Sequence, residues 1–283
     1  MKVVQIIYNP TSGNFSTRRL RDVDTALKQA GARTILTNCT SEKAVIASGV
    51  THICISGGDG TVRETLNDLL AGDCRLPISI HPSGTVNLLA KELGCSLEPG
   101  KVAERILGSQ FQECHYVALL NQTTFLVCAS VGPECFAIRR HSARLKRLFG
   151  RAAYVIAFMQ VLWDWQRPLI RMTVEGTHYE CEAVYIAKGR YFAGSWSINP
   201  MARSCEKTMH IVALTSARRR DYAAFVWNML RHGDPRSLPG AICLTCDALS
   251  LHSEHALPIQ ADGDIVDSLP AHIRLNPQAI FLC

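Results

Sequence analysis

The chain has 283 residues, of which 47% are hydrophobic and 19% charged, and a formal net charge of +6. This length supports two domains, each with its own core, and the balance of residues excludes a disordered or low-complexity chain. The apolar run at residues 3–7 is too short for a signal peptide, and the longest charge-free helical stretch, 152–163, falls short of the roughly 20 residues of a membrane span. A cytoplasmic protein without a membrane-spanning helix is expected. Its 12 cysteines are scattered, mostly beside apolar residues as at Cys54, Cys128 and Cys243, and read as reduced thiols. Cys243-Leu244-Thr245-Cys246 has no second pair and is not expected to bind zinc.

In chain order, residues 2–8 form a β-branched apolar run that predicts a strand ending in Asn9-Pro10-Thr11-Ser12-Gly13-Asn14. A helix over 17–30 follows, then a strand over 33–36, a helix over 42–47, a strand over 52–55 and a helix over 62–70. The alternation recurs with a strand over 77–80, the turn His81-Pro82-Ser83-Gly84-Thr85, and a helix over 86–93. Such repetition predicts a parallel sheet covered by helices, which binds ligands beyond the carboxyl ends of its strands. The polar turns at 9–13, 57–61 and 83–85 are therefore expected to converge.

Among them, Gly57-Gly58-Asp59-Gly60-Thr61 carries the sharpest chemistry. Glycines let backbone N–H groups approach an anion closely, and a following helix aims its positive end at the same place. Asp59 would repel a phosphate unless a metal ion or a hydroxyl proton lies between them, so the loop suggests phosphate chemistry as well as phosphate binding.

Beyond residue 108 the pattern changes to short alternating runs at 115–120, 124–130, 169–174, 179–187, 210–214 and 248–252, with helices predicted over 145–163 and 221–231. An antiparallel β-rich second domain is expected, with boundaries of 1–110 and 111–283 and a last strand over 279–282 that returns to the first domain. Arg139, Arg140, Arg144, Lys146, Arg147 and Arg151 fall together in a stretch without acidic residues. Beside Leu145, Leu148 and Phe149 they suit an anionic membrane surface or a solvated helix face. Nucleic acid is not expected, since no binding motif accompanies them.

Four separated motifs, in order, resemble the diacylglycerol kinase-like lipid kinases, a family that includes sphingosine and ceramide kinases and is related to NAD kinases. They are Asn9-Pro10-Thr11-Ser12-Gly13; Gly57 to Thr61 with Glu64; Gly84-Thr85-Val86-Asn87 followed by Leu88-Leu89-Ala90-Lys91-Glu92-Leu93-Gly94; and Asp262-Gly263-Asp264. The resemblance, nearest to compact bacterial members, implies an α/β nucleotide-binding domain, a C-terminal β-sandwich domain, and ATP with magnesium in the cleft between them. It places Asn9, Pro10, Thr11, Ser12 and Gly13 along the nucleotide, and Gly57, Gly58, Asp59, Gly60, Thr61 and Glu64 around its phosphates. Gly84, Thr85 and Asn87 would close the site, and Thr37, with Thr40 as the alternative, would lie near the nucleotide. Arg18 or Arg19 would supply a cation or would be solvated helix residues.

Three departures from the family pattern stand out. Asp264 occupies a position where most members have Glu, Arg63 one where Asn is usual, and residues 200–209 retain only Glu206 where the family carries Asp residues associated with magnesium. No metal ligands are assigned. The catalytic base is expected among Asp262, Asp264 and Asp59, with the late pair preferred and Asp59 holding water and magnesium. The expected activity is transfer of the γ-phosphoryl group of ATP to a lipid hydroxyl, as in diacylglycerol or a sphingoid-type lipid, with a homodimer left open. The alternatives are an NAD kinase-like enzyme acting on a soluble substrate and a non-catalytic lipid- or nucleotide-binding relative.

Overall fold

The computed structural model describes residues 1–40, 44–108, 113–140 and 160–283. The chain divides into two compact units, Met1–Val117 with Asn276–Cys283, and Ala118–Leu275.

The first unit runs β1 (Val3–Tyr8), α1 (Thr17–Gln29), β2 (Arg33–Asn38), β3 (His52–Gly57), α2 (Asp59–Ala71), β4 (Ile78–Pro82), α3 (Leu88–Glu92) and α4 (Pro99–Gly108). Its strands are parallel in the order β2-β1-β3-β4. Strands β3 and β4 are buried along their whole length, as expected where helices cover both faces of a parallel sheet. Helix α1 starts at Ser16, whose hydroxyl accepts from the Arg19 N–H. It buries Leu20, Val23 and Leu27 in a cluster with Val4, Ile6, Cys54, Val102 and Ile106.

Residues 44–47 are not helical, contrary to the sequence pattern, and 41–43 lie outside the described residues. The cause is Gln5, a buried amide in the middle of β1. Its Nε2 donates to the Val45 carbonyl at 2.8 Å and its Oε1 accepts from the Ala47 N–H at 2.9 Å. These bonds satisfy the Gln5 side chain and hold that backbone out of a helix.

The second unit contains β6 (Thr123–Phe125), β7 (Cys128–Val131), α5 (Pro133–Arg140), β8 (Ile170–Val174), β9 (Thr177–Cys181), β10 (Ala183–Ala187), β11 (Met209–Leu214), α6 (Arg219–Leu230), β12 (Ala241–Cys246), β13 (Ala248–His252), β14 (Pro258–Ala261) and β15 (Asp264–Ser268). It takes the end of β5 (Glu113–Leu120) and the start of β16 (Ala271–Leu282), whose last residues belong to the first unit. A six-stranded antiparallel sheet runs β12-β11-β10-β7-β14-β15. A second antiparallel layer pairs β9, β8, β13 and the start of β16. Ile170, Met172, Leu251 and Ile273 from this layer share one core with Val131, Val184, Ile211 and Ile259 from the other, making a β-sandwich.

The fold class is the expected one, a parallel α/β domain followed by an antiparallel sandwich. The run 179–187 nevertheless splits into β9 and β10 in different layers. Glu182 marks the break, with its N–H on the Leu214 carbonyl and its carboxylate accepting from the Ala217 N–H at 2.7 Å. The stretch containing Cys243 is an additional strand, β12. Residues 160–164 are helical, while 141–159, which hold most of the predicted helix and basic block, lie outside the described residues.

Ile6 is fully buried, so Ile6→Ala should cost about 2–5 kcal/mol. Denaturant unfolding of the two proteins measures this directly, and an unchanged midpoint would contradict the assigned core.

Candidate functional site

Strand register sets three turns side by side. Tyr8 pairs with Ser56, Ser56 with His81, and Gly57 with Pro82, so β1, β3 and β4 end together and release their turns from one edge. The Ser83 N–H donates to the Gly57 carbonyl at 3.0 Å, and the Asn14 N–H to the Ser83 carbonyl at 3.1 Å. Asn14 Nδ2 reaches the Gly84 carbonyl at 3.0 Å. The first turn is pinned by Asn9, whose Oδ1 accepts from the N–H and hydroxyl of Thr11 at 2.8 and 2.7 Å. Thr61 ties it to the second turn, since Asn9 Nδ2 and Ser12 Oγ each lie 3.3 Å from Thr61 Oγ1.

Gly58 and Gly84 touch through their backbones. A Cβ at Gly84 would lie 2.4 Å from the Gly58 Cα and 2.6 Å from Asn87 Oδ1, and a Cβ at Gly58 would lie 3.0 Å from the Gly84 Cα. Asn87, in the left-handed region at φ 54°, closes the third turn. Its Oδ1 accepts from the Gly84 N–H and its Nδ2 donates to the Gly84 carbonyl, both at 2.9 Å. Helix α2 begins at Asp59 with Gly58 as its cap, a residue with no side chain to cap the first N–H groups. Such an end attracts anions. Ser83 Oγ is buried beside it with no hydrogen-bond partner among the described residues. The glycine contact, the uncapped helix and the orphaned hydroxyl together fit a phosphate-bearing ligand.

The other predicted positions are more dispersed. Pro10, Thr11, Gly13 and Thr85 are exposed around the turns, and a Cβ at Gly13 would meet Thr85 Oγ1 at 3.0 Å. Thr37, on the neighbouring β2, accepts from Gln5 Nε2 at 2.9 Å, whereas Thr40 is exposed and donates to Asn38 Oδ1 at 2.5 Å. Glu64 is exposed on α2, and its charge adds to burial in raising the Cys39 thiol pKa. Arg63 is buried. The Arg19 charge disfavours protonation of His81.

In the second unit, Asp262-Gly263 is a two-residue hairpin turn between β14 and β15, with φ of 50° and 94°. Both values are positive, as a tight turn of this hand requires. The two carboxylates part company here. Asp262 is buried and accepts three backbone N–H groups, from Leu126 at 2.8 Å, Val127 at 2.9 Å and Cys128 at 3.1 Å. Asp264 is exposed at the start of β15.

Sequence reading missed the network beneath this turn. The Gly263 N–H donates to Gln260 Oε1 at 2.9 Å, Gln260 Nε2 to Ser130 Oγ at 2.8 Å, and Ser130 Oγ to Glu134 Oε1 at 2.6 Å. Tyr185 and Tyr222 both donate to Glu134 Oε2 at 2.8 Å. Burial first, then the Glu134 charge, push the Tyr185 hydroxyl pKa well above its usual value, so it remains a donor. The available signal was a lone Glu134 inside an apolar stretch.

The stretch carrying Glu206 does not fit an accessory metal. Its backbone carbonyls at Arg203, Ser204 and Glu206 accept from the buried Lys188 Nζ at 3.3, 2.9 and 2.8 Å, and the Glu206 carboxylate lies 3.2 Å from His210 Nε2. Among the described residues, no group of three His, Cys, Asp or Glu side chains is placed to hold a metal ion.

Residues 3–119 match the family described as diacylglycerol kinase catalytic domain, and residues 129–283 match the YegS C-terminal NAD kinase beta sandwich-like domain. The chain belongs to the diacylglycerol kinase-like lipid kinase family. It is 24% identical over 281 residues to a protein named diacylglycerol kinase from Staphylococcus carnosus strain TM300, covering 96% of this chain and 91% of that one. A crystal structure described as a diacylglycerol kinase from Bacillus anthracis strain Sterne shares the fold, with a TM-score of 0.77, 22% identity, and coverage of 97% of this chain and 94% of that one. In this lipid kinase-family chain the matched catalytic-domain region includes the three strand-end turns, and the matched sandwich region includes the Asp262 turn.

Burial, reinforced by Arg19, lowers the His81 pKa from 6.5 to about 4, and the neutral ring shares a hydrogen bond with Ser56 Oγ at 2.8 Å. Because the unfolded ring binds a proton more readily, this stability is present above pH 6.5 and is lost as pH falls toward 4. The full effect is on the order of 3 kcal/mol. His81→Asn should flatten the stability profile in that window. Parallel profiles for the two proteins in chemical denaturation would contradict a neutral buried His81.

Proposed function

We propose that this chain transfers the γ-phosphoryl group of ATP to a hydroxyl of a lipid. The reading is carried above all by the Gly58–Gly84 contact beside the uncapped start of α2, a backbone surface suited to phosphates. Family membership supplies the kinase chemistry, and the name of the Staphylococcus relative suggests diacylglycerol as the first lipid to try.

Phosphoryl transfer needs positioned reactants, stabilised charge and a base near the attacking hydroxyl. The amides at the start of α2 would hold the phosphates, with Asn9, Ser12 and Thr61 fixing the loop around them. Magnesium bound with the nucleotide would neutralise phosphate charge, and Asp59, the first residue of α2, is the carboxylate suited to hold it or its water. The two late carboxylates take different tasks. Asp262, its oxygens occupied by three N–H donors, fixes the hairpin. Asp264, exposed on the next strand, accepts the proton of the lipid hydroxyl as its oxygen bonds to phosphorus, with ADP leaving. A lipid acceptor lies in the lipid phase, so we infer peripheral contact of this chain with that phase; no helix among the described residues is long and apolar enough to cross a membrane.

Incubation with γ-labelled ATP, magnesium and a lipid extract should move label into the organic phase. Label transferred only to water-soluble acceptors would overturn the lipid assignment, and no ATP-dependent transfer to any acceptor would overturn the kinase. Asp264→Asn should lower turnover about 10²–10⁴-fold with ATP affinity retained, and Asp264→Glu should remain active. Asp262→Asn should instead cost about 1–3 kcal/mol of stability, because an amide cannot accept all three N–H bonds. Near-normal turnover in Asp264→Asn, with activity abolished in Asp59→Asn, would move the base to Asp59.

Gly58→Val should weaken ATP binding severely while far-UV circular dichroism persists, since its branched side chain would push into the Gly84 turn. Unchanged ATP affinity in the folded variant would contradict the placement of the phosphates.

A further inference from the structure

Helix α6 buries Tyr222, Phe225 and Met229 and turns a different set of residues outward. Its exposed positions are Arg219, Arg220, Ala223, Ala224, Trp227 and Leu230. None is acidic. Trp227 is 59% exposed and Leu230 39% exposed, large apolar surfaces for the solvent side of a helix. At the C-terminal end of α6, the Arg231 guanidinium stands 5.6 Å from the Trp227 ring centroid.

At its N-terminal end the pattern is repeated by a separate segment. Trp163, 70% exposed, lies under Arg219, whose guanidinium carbon is 3.7 Å from the ring centroid and whose Nη2 donates to the Trp163 carbonyl at 2.9 Å. Arg218 and Arg219 have no acidic partner among the described residues. The nearby carboxylates are already engaged: Asp221 accepts from Ser216 Oγ at 2.7 Å and lies 3.4 Å from Arg220, and Glu182 accepts from the Ala217 N–H and lies 3.6 Å from Arg167.

Exposed indoles bordered by arginines, on a helix whose one carboxylate, Asp221, is already engaged by Ser216 and Arg220, match the chemistry of the boundary between lipid headgroups and acyl chains. Indole inserts its apolar ring there while keeping its N–H near polar groups, and arginine lays its stem on apolar surface with its charge toward phosphate. A protein partner would require complementary carboxylates against each unpaired arginine, whereas an anionic bilayer supplies negative charge wherever the face lands.

We propose that the α6 face, with Trp163 and Trp227 as inserting side chains and Arg218, Arg219, Arg220 and Arg231 around them, docks this protein on an anionic phospholipid surface. The choice of a membrane as occupant rests on the lipid-acceptor reading. Its residues are other than those of the basic run at 139–151 in the sequence, and its binding needs neither ATP nor catalysis.

The test is co-sedimentation of the full chain, without nucleotide, with vesicles of phosphatidylcholine alone or mixed with phosphatidylglycerol. Binding should require phosphatidylglycerol and weaken with salt. Vesicles containing brominated acyl chains should quench tryptophan fluorescence, and Trp163→Ser with Trp227→Ser should abolish that quenching even though Trp165 and Trp196 remain. Arg219→Gln with Arg220→Gln should reduce partitioning about 30-fold, near fivefold for each charge. Turnover of detergent-dispersed lipid by the tryptophan variant, compared with the parent, separates loss of docking from loss of the catalytic site. Vesicle binding and quenching unchanged in both variants would overturn the proposal. So would equal binding to neutral and anionic vesicles, or sedimentation velocity showing that the same substitutions dissociate a dimer instead.

Discussion

The close approach of Gly58 and Gly84 is the constraint around which the turns of the first unit are arranged. A Cβ at Gly84 would lie only 2.4 Å from the Gly58 Cα, so the two turns approach this closely only with glycine at 84, while a Cβ at Gly58, 3.0 Å from the Gly84 Cα, would press the turns apart. The Asn87 bonds to Gly84, the Ser83 bond to Gly57 and the Thr61 contacts to Asn9 and Ser12 tie the three turns together around that approach. A helix start left without a side-chain cap costs hydrogen bonding that a phosphate can restore. The same geometry therefore fixes the turns and leaves a helix start suited to an anion.

The second unit solves a related problem by burying charge. Asp262 is taken out of water, which is costly unless its oxygens find donors, and three consecutive N–H groups at 126–128 provide them. The hairpin is held from its other side by Gln260, Ser130 and Glu134. A turn secured at both ends can present Asp264 in a defined place at the start of β15. Lys188 performs comparable work nearby: its ammonium has three donors, matching the three carbonyls of the loop it organises.

Legibility in the sequence followed the range of the interactions. The three strand-end turns could be read because glycine and asparagine identities, a preceding apolar strand and a following helix all occur within a few residues of one another. The sandwich could be read as a class from period-two runs, but not the split at Glu182, whose partners Leu214 and Ala217 are more than thirty residues away. The missing helix at 44–47 has the same origin, since the competing bonds come from Gln5, forty residues earlier. Asp262 and Asp264 looked equivalent as a motif because nothing local distinguishes them. Their difference comes from residues 126–128, more than 130 positions upstream.

The most direct measurement of the central claim is the response of backbone amides to ATP with magnesium in an assigned NMR spectrum. The largest shifts are expected at Gly58, Asp59, Gly60 and Thr61, with smaller ones at Ser12, Gly13 and Gly84 and none of comparable size in β8, β9 or β13. Saturating ATP that perturbs amides elsewhere and leaves the start of α2 unmoved would contradict the account.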